Sequence, residues 1–319
     1  MTKNLHIEHP EDSILTGDLS VLDAFLMEQH VSVKYDGAPA IVWGKNPATG
    51  NQFVGTKSVF NKIKIKINES HEDIDRNHNG QVAEILHECF DCLPDTDSII
   101  QGDFIGFGGE GQYTPNTIEY DFDMHDDGTV VMENIIVAPH TEYTADCDLR
   151  DAEAKPLLEN LEGTEMCLFV KPHAGTAIDS YNRFGNKFDF GMYLGFVRAM
   201  AQLVVFASAK EAKKIMKELN SYIRDGKEID PDQFDNPKLI SFWLSVKTLK
   251  MIALSQCRHR WGPDAYIVNP EEDSIESIDA EGYVIHSDGG SYKLVDRELF
   301  SYANFNNVKW AADSPAGGT

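Results

Sequence analysis

Short β-branched runs occupy both ends of this 319-residue chain, and a stretch of helical periodicity separates them. VSVKYD, AIVWG, QFVGTK, SIIQGDFIGF and TVVMENIIV fall before about residue 140, with one helix expected over roughly Gln81 to Cys89. From about Asp151 to Gly262, after a strand at MCLFVKPH, helical spacing dominates. Its pieces are MYLGFVRAMAQLVVFA, AKEAKKIMKELNSYI and PKLISFWLSVKTLKMIALSQCRHRW, the last with Pro237 near its start. Strands return in AYIVN, GYVIHS and SYKLV between about 265 and 300. This order predicts an α+β fold in which one sheet draws strands from both ends and helices are inserted between them. The expected units are residues 1–150, a mainly helical insertion at 151–262, completing strands at 263–310 and a disordered tail at 311–319. Residues far apart in sequence then share one cleft.

Charge and cysteine usage exclude several classes. A formal net charge of −24 makes the bulk surface repel nucleic acid, anionic membrane and phosphate, so any polyanion site has to be a local basic patch. Five cysteines cannot all pair, and so few in a chain of this length point to a reducing compartment. Cys89-x-x-Cys92 lies in a helical stretch with no second CxxC and reads as structural. The start, MTKNLHIEHPEDS, has no apolar signal core. The longest apolar stretch, from Met192, carries Arg198 and Gln202 in its middle, which marks a core helix instead of a membrane span. A soluble, cytoplasmic monomer without a membrane partner is expected.

VSVKYDGAPAIV, residues 31–42, puts Lys34 at the end of a strand-like run and turns at once through Asp36-Gly37. One reading is a snorkelling strand lysine before an ordinary turn. The other is a nucleophile: a lysine amine is inert while protonated, and a partly buried site beside other cations lowers its pKa enough for attack. The small residues Gly37, Ala38 and Ala40 would then let a phosphate approach.

KYDG is followed in order by GTKS at 55–58, QGDFIG at 101–106, EYDFDM at 119–124, EGYVIHS at 281–287 and SYKLV at 291–295. In type, order and spacing these resemble the motifs of the covalent nucleotidyltransferase superfamily, which includes ATP-dependent DNA ligases, RNA ligases and mRNA capping enzymes. KYDGAPAIVWG, VGTKSVFNK and HEDIDRNH also look like an uncharacterised group of tailed cyanophage proteins, which would place the chain in the host cytoplasm. The resemblance implies an antiparallel or mixed-sheet adenylation domain with an inserted helical subdomain and no C-terminal OB domain. It implies that Lys34 attacks the α-phosphate of ATP to give lysyl-N–AMP, with Asp36 and Gly37 in the same nucleotide-binding motif. Lys57 on the next strand would contact phosphate, Asp103 would hold a ribose hydroxyl and Phe122 would stack on adenine. Glu281 would support Mg²⁺ or Mn²⁺, and Lys293 would neutralise charge. The reaction implied is adenylylation, AMP transfer to a 5′-phosphate end and sealing to a 3′-hydroxyl, on RNA ahead of nicked DNA duplex. Positioning and charge neutralisation are what such a transfer asks of a protein.

The chain departs from the family in four places. Ser32 stands where DNA ligases have Glu, and Pro39 where they have Arg. The final motif reads Lys293-Leu294-Val295 instead of Lys-x-Lys, and the sequence leaves no room for an OB domain after it. An AMP transferase acting on a protein or small molecule, or a nucleotide-binding protein without turnover, therefore stays open. Lys62, Lys64 and Lys66 alternate and would line one strand face, either as a polynucleotide contact or as an edge strand guarded by lysines. The Gly106–Gly111 match to GxGxxG is followed by Pro115 where a helix is required, which argues against a dinucleotide site. DRNHNG lacks the closing Glu of a calcium loop, since Leu86 stands there, and reads as a polar turn flanked by His71 and His78.

Overall fold

The computed structural model describes residues 7–25, 30–123, 128, 130–172, 174–176, 187–258, 262–269, 274–278, 280–288 and 290–300. In chain order, helices α1 (Pro10–Ser13) and α2 (Ser20–Ala24) precede strands β1 (His30–Lys34), β2 (Ala40–Lys45) and β3 (Gln52–Gly55). Helices α3 (His71–Asn77) and α4 (Gly80–Cys92) follow. Next come β4 (Ile99–Phe107), β5 (Gln112–Tyr113), β6 (Ile118–Asp121), β7 (Ile135–Thr144), β8 (Glu153–Pro156), β9 (Cys167–Phe169) and β10 (Gly175–Thr176). Three helices, α5 (Lys187–Ala201), α6 (Ala209–Arg224) and α7 (Pro237–Leu254), form the central block. The strands β11 (Cys257–Arg258), β12 (Asp264–Asn269), β13 (Ser274–Ile278), β14 (Gly282–Ser287) and β15 (Gly290–Val295) close the order.

The two ends of the chain meet in one sheet. β1 pairs antiparallel with β14, which pairs with β15, so His30–Lys34 lies beside strands some 250 residues later. A larger sheet runs β3-β2-β4-β7-β8, with β9 added parallel to β7. A third sheet, β13-β12-β6-β5, again joins early and late strands.

Alternation decides which face of the first sheet meets what. Val31, Val33, Tyr283, Ile285, Tyr292 and Leu294 are buried in the core shared with the helical block, as a half-covered antiparallel sheet requires. Within that block α7 is apolar almost all round, with Ile240, Trp243, Val246 and Leu249 buried, the pattern of a central helix. Its start is fixed by Asn236, which accepts from the Leu239 N–H, and by Pro237. α6 opens with a reciprocal capping box between Ser208 and Glu211. On the large sheet, Ile41, Trp43, Ile100 and Val137 face α4 through Leu86 and Cys89.

Several expected elements end early. QFVGTK stops as a strand at Gly55, and Lys57 begins a 3-10 turn capped by Thr56. The run at 130–134 does not extend β7, which starts at Ile135. α5 ends at Ala201, and Val205 lies exposed beyond it. α7 ends at Leu254, and the segment expected to continue it turns into the short strand β11; His259–Trp261 lie outside the described residues. The segment 311–319 lies outside them too. Lys62, Lys64 and Lys66 form no strand face: residues 61–67 are bends and loop, because the chain must descend to Asn68, which bonds Val54 across β3.

Candidate active site

Lys34 ends β1 opposite Gly282, immediately after Glu281, and Ser32 lies opposite Val284, itself opposite Lys293. The face of this sheet turned from the core therefore carries Ser32, Lys34, Val284, His286, Ser291 and Lys293. The face of the large sheet stands across from it. Gln101 and Asp103 come from β4, His140 and Tyr143 from β7, Lys155 from β8, and Lys57 from the turn after β3. Between the two walls is a cavity of about 460 Å³, within the usual range for small-molecule sites. In a chain of net charge −24 it gathers four lysines, Lys34, Lys57, Lys155 and Lys293.

The Lys34 amine is ion-paired with Glu281. Burial pulls the Lys34 pKa down, but the Glu281, Asp103 and Asp36 carboxylates outweigh it and hold it above the ordinary lysine value. This corrects the expectation of an uncharged amine: here Lys34 is an ammonium. Lys293 moves the other way, lowered by burial and by the positive charge of Lys34. Burial pushes the Glu281 carboxyl up, with Lys34 pulling it back.

The lysine loop is used differently from the sequence expectation. A Cβ on Gly37 would lie 2.7 Å from the Phe104 carbonyl and 2.8 Å from the Asp103 Cβ, so this glycine clears space for β4, not for a phosphate. The Ala38 N–H donates to Phe104 O, and the Phe104 N–H donates to Pro39 O, which staples the loop beside Asp103. Asp36 accepts from the Asn116 side chain and the Thr117 N–H, and its own N–H donates to Tyr120 Oη. It anchors the loop before β6.

Phe122 is not among the cavity residues. It stands edge-on to Tyr113, ring centroids 5.6 Å apart, against the main core. Lys62 and Lys64 are exposed, while Lys66 donates to the Asn77 carbonyl at 2.5 Å and ties the loop to α3.

Sequence reasoning passed over part of the wall. Tyr143 Oη donates to Gln101 Oε1 at 2.8 Å, and the Gln101 amide donates to His140 Nε2 at 3.3 Å. The His140 Nδ1 hydrogen is thereby directed to Thr141 Oγ1, 2.7 Å away. Asp103 lies 3.8 Å from His140 Nε2. Gln101 and Asp103 stand in QGDFIG, but His140, Thr141 and Tyr143 stand in no motif, and only the β4–β7 pairing brings the two groups together.

Among the described residues no group of three or more His, Cys, Asp or Glu could hold a metal ion. Glu281 and Asp103 are the carboxylates that act most strongly on the Lys34 amine, and carboxylate oxygens are hard-cation donors. Mg²⁺ keeps most of its water and takes one or two carboxylates. His71 pairs with His87, Nδ1 to Nδ1 at 2.6 Å, joining α3 to α4, and not with His78. Cys89 and Cys92 are buried, and burial pushes their thiols up, Cys92 to about 12, so neither is a nucleophile at neutral pH.

No helix among the described residues is long and apolar enough to cross a membrane. No curated protein and no solved structure matches the chain. A family model described as a family of unknown function (DUF6267) matches residues 4–236 and 228–309.

Proposed function

The chain belongs to DUF6267, a family of unknown function, and we propose that this member is an ATP-dependent nucleotidyltransferase with Lys34 as the covalent nucleophile. The observation that carries this reading is the convergence of Lys34, Lys57, Asp103 and Lys293 on one cavity, with Glu281, 247 positions after Lys34, in contact with the Lys34 amine. Lysines on both walls of one polar cavity match what phosphoryl-type transfer requires, namely fixed position and neutralised charge.

In the reaction proposed, the Lys34 ammonium first loses a proton; Glu281, whose burial favours its protonated form, is the carboxylate in contact with it. The freed amine attacks the α-phosphorus, the N–P bond forms, and the P–O bond to pyrophosphate breaks. Lys57, Lys155 and Lys293 balance the negative charge of the triphosphate. A divalent ion travelling with the triphosphate would supply further neutralisation, held by Asp103, and by Glu281 once that carboxylate has passed on the Lys34 proton. His140 and Tyr143 are the wall aromatics available to a base or ribose, in place of Phe122. AMP would then pass to a 5′-phosphorylated end for sealing, with RNA the first acceptor to try.

The test is incubation with α-labelled ATP and Mg²⁺ followed by denaturing electrophoresis. A labelled band on the wild type that vanishes in Lys34→Ala supports the reading, and no band under any metal removes it. One observation favours a second reading: Val295 takes the place of a second lysine beside an ion-paired Lys34. A binding protein without turnover would retain ATP and leave no adduct.

A further inference from the structure

One end of the cavity is lined by a hydrogen-bonded relay that the phosphate chemistry does not use. Ser32 Oγ lies 3.0 Å from His286 Nε2, and His286 Nδ1 lies 2.8 Å from Ser291 Oγ. The three residues come from β1, β14 and β15, and all line the cavity. His286 is only 8% exposed, and burial, with His30 nearby, pushes its pKa down to about 4, so the ring is neutral at physiological pH. A neutral ring between two hydroxyls cannot balance a phosphate. It suits the uncharged part of a ligand.

A neutral imidazole has one N–H and one lone pair. The two serines are therefore forced into opposite roles, one donating to the ring and one accepting from it. A serine that spends its hydrogen on the ring shows lone pairs to the cavity. A serine that accepts from the ring keeps its hydrogen free to donate. Moving the ring hydrogen between Nδ1 and Nε2 exchanges the two roles, so Ser32 presents an acceptor in one tautomer and a donor in the other. A fixed carboxylate in its place would only accept.

We propose that Ser32, His286 and Ser291 form a polarity-reversible reader of the base edge, so that the cavity takes purine nucleotides bearing either a 6-amino or a 6-oxo group. The proposal rests on the nucleotide reading above. Sites of fixed hydrogen-bond polarity reject the wrong partner by about 10⁴-fold or more, because buried groups are left unpaired. A reader that reverses pays only for the tautomer exchange.

The experiment is equilibrium titration of the full chain with ATP and with GTP by calorimetry. Affinities within about tenfold of each other are expected, against the separation of a fixed-polarity site. Ser32→Asp, which fixes an acceptor, is expected to weaken GTP by about 10⁴-fold relative to ATP. Ser32→Ala, which introduces no charge, is expected to weaken both nucleotides while leaving their ratio near that of the wild type. A wild-type preference of about 100-fold or more for either nucleotide overturns the proposal and leaves the nucleotide reading standing. Failure of both nucleotides to bind overturns the two together.

Discussion

Lys34 shows how a single contact sets a chemical state. Its folded-state pKa is raised, so the pair with Glu281 stabilises the fold below the unfolded lysine value, and that contribution is lost as pH climbs through the folded value. Attack needs the free amine, so the rate of adduct formation is expected to rise with pH on the alkaline side. In Glu281→Gln that limb is expected to move to lower pH; a profile unchanged by the substitution would sink the ion-pair account. Gly37 makes a structural prediction at the same scale. Gly37→Ala drives a methyl into the Phe104 carbonyl and the Asp103 Cβ, and an overpacking cost of about 1–3 kcal/mol is expected in denaturant unfolding. The residues picked from sequence were those in ordered motifs, among them Lys34, Lys57, Asp103, Glu281 and Lys293. Gln101 and His286 lie inside two of those motifs and His140 in none, and none of the three was picked, because each acquires its role only from a strand partner, and pairing register leaves no local mark.

At the level of elements, the join between α1, α7 and the residues after β15 is a buried charge cluster. Lys250 bonds Glu11 at 2.6 Å with both side chains fully buried, and Arg297 bonds Asp12 at 2.9 and 3.0 Å while also reaching Glu11 at 3.3 Å. Trp243 donates to Asp12 as well. Removing Lys250 leaves the fully buried Glu11 with only the longer Arg297 contact, so Lys250→Met is expected to cost about 3–5 kcal/mol. The double variant Glu11→Leu/Lys250→Met is expected to recover much of that loss in the same urea titration. A double variant as unstable as the single one would show that packing, not the stranded carboxylate, sets the cost. Of the helices, α4, α6 and α7 were legible, since caps and apolar periodicity lie within the segment itself, as at Ser208 and Pro237, whereas the short α1, α2 and α3 carry no such periodicity and were not expected. The lysine alternation at 62–66 misled because a period of two marks a strand only where a neighbour exists to pair with it, and here Asn61 to Ile67 have none.

Across the whole molecule, the excess of negative charge works against an anionic ligand while the cavity lysines work for it. Long-range repulsion is screened before short-range contacts are. The association rate of ATP is therefore expected to increase as ionic strength rises from about 20 to 150 mM, the reverse of a basic protein, and stopped-flow measurement of a fluorescent analogue reads it directly. A rate that falls steadily over that range would mean the cavity field dominates at a distance. The alternation of strand and helical blocks disclosed that early and late strands share a sheet, but not that two sheets would face each other across the site. That arrangement depends on side-chain packing against α4 and α7, which no short segment encodes. One consequence concerns birth, not catalysis. Because β1 takes its strand partner from β14, and Glu281 lies just before that strand, Lys34 must wait through the synthesis of everything between before its counter-charge exists. A nascent chain halted before residue 280 would hold a complete lysine loop without Glu281, β14 or β15 beside it, and the cavity would stay open on that side until those strands are made.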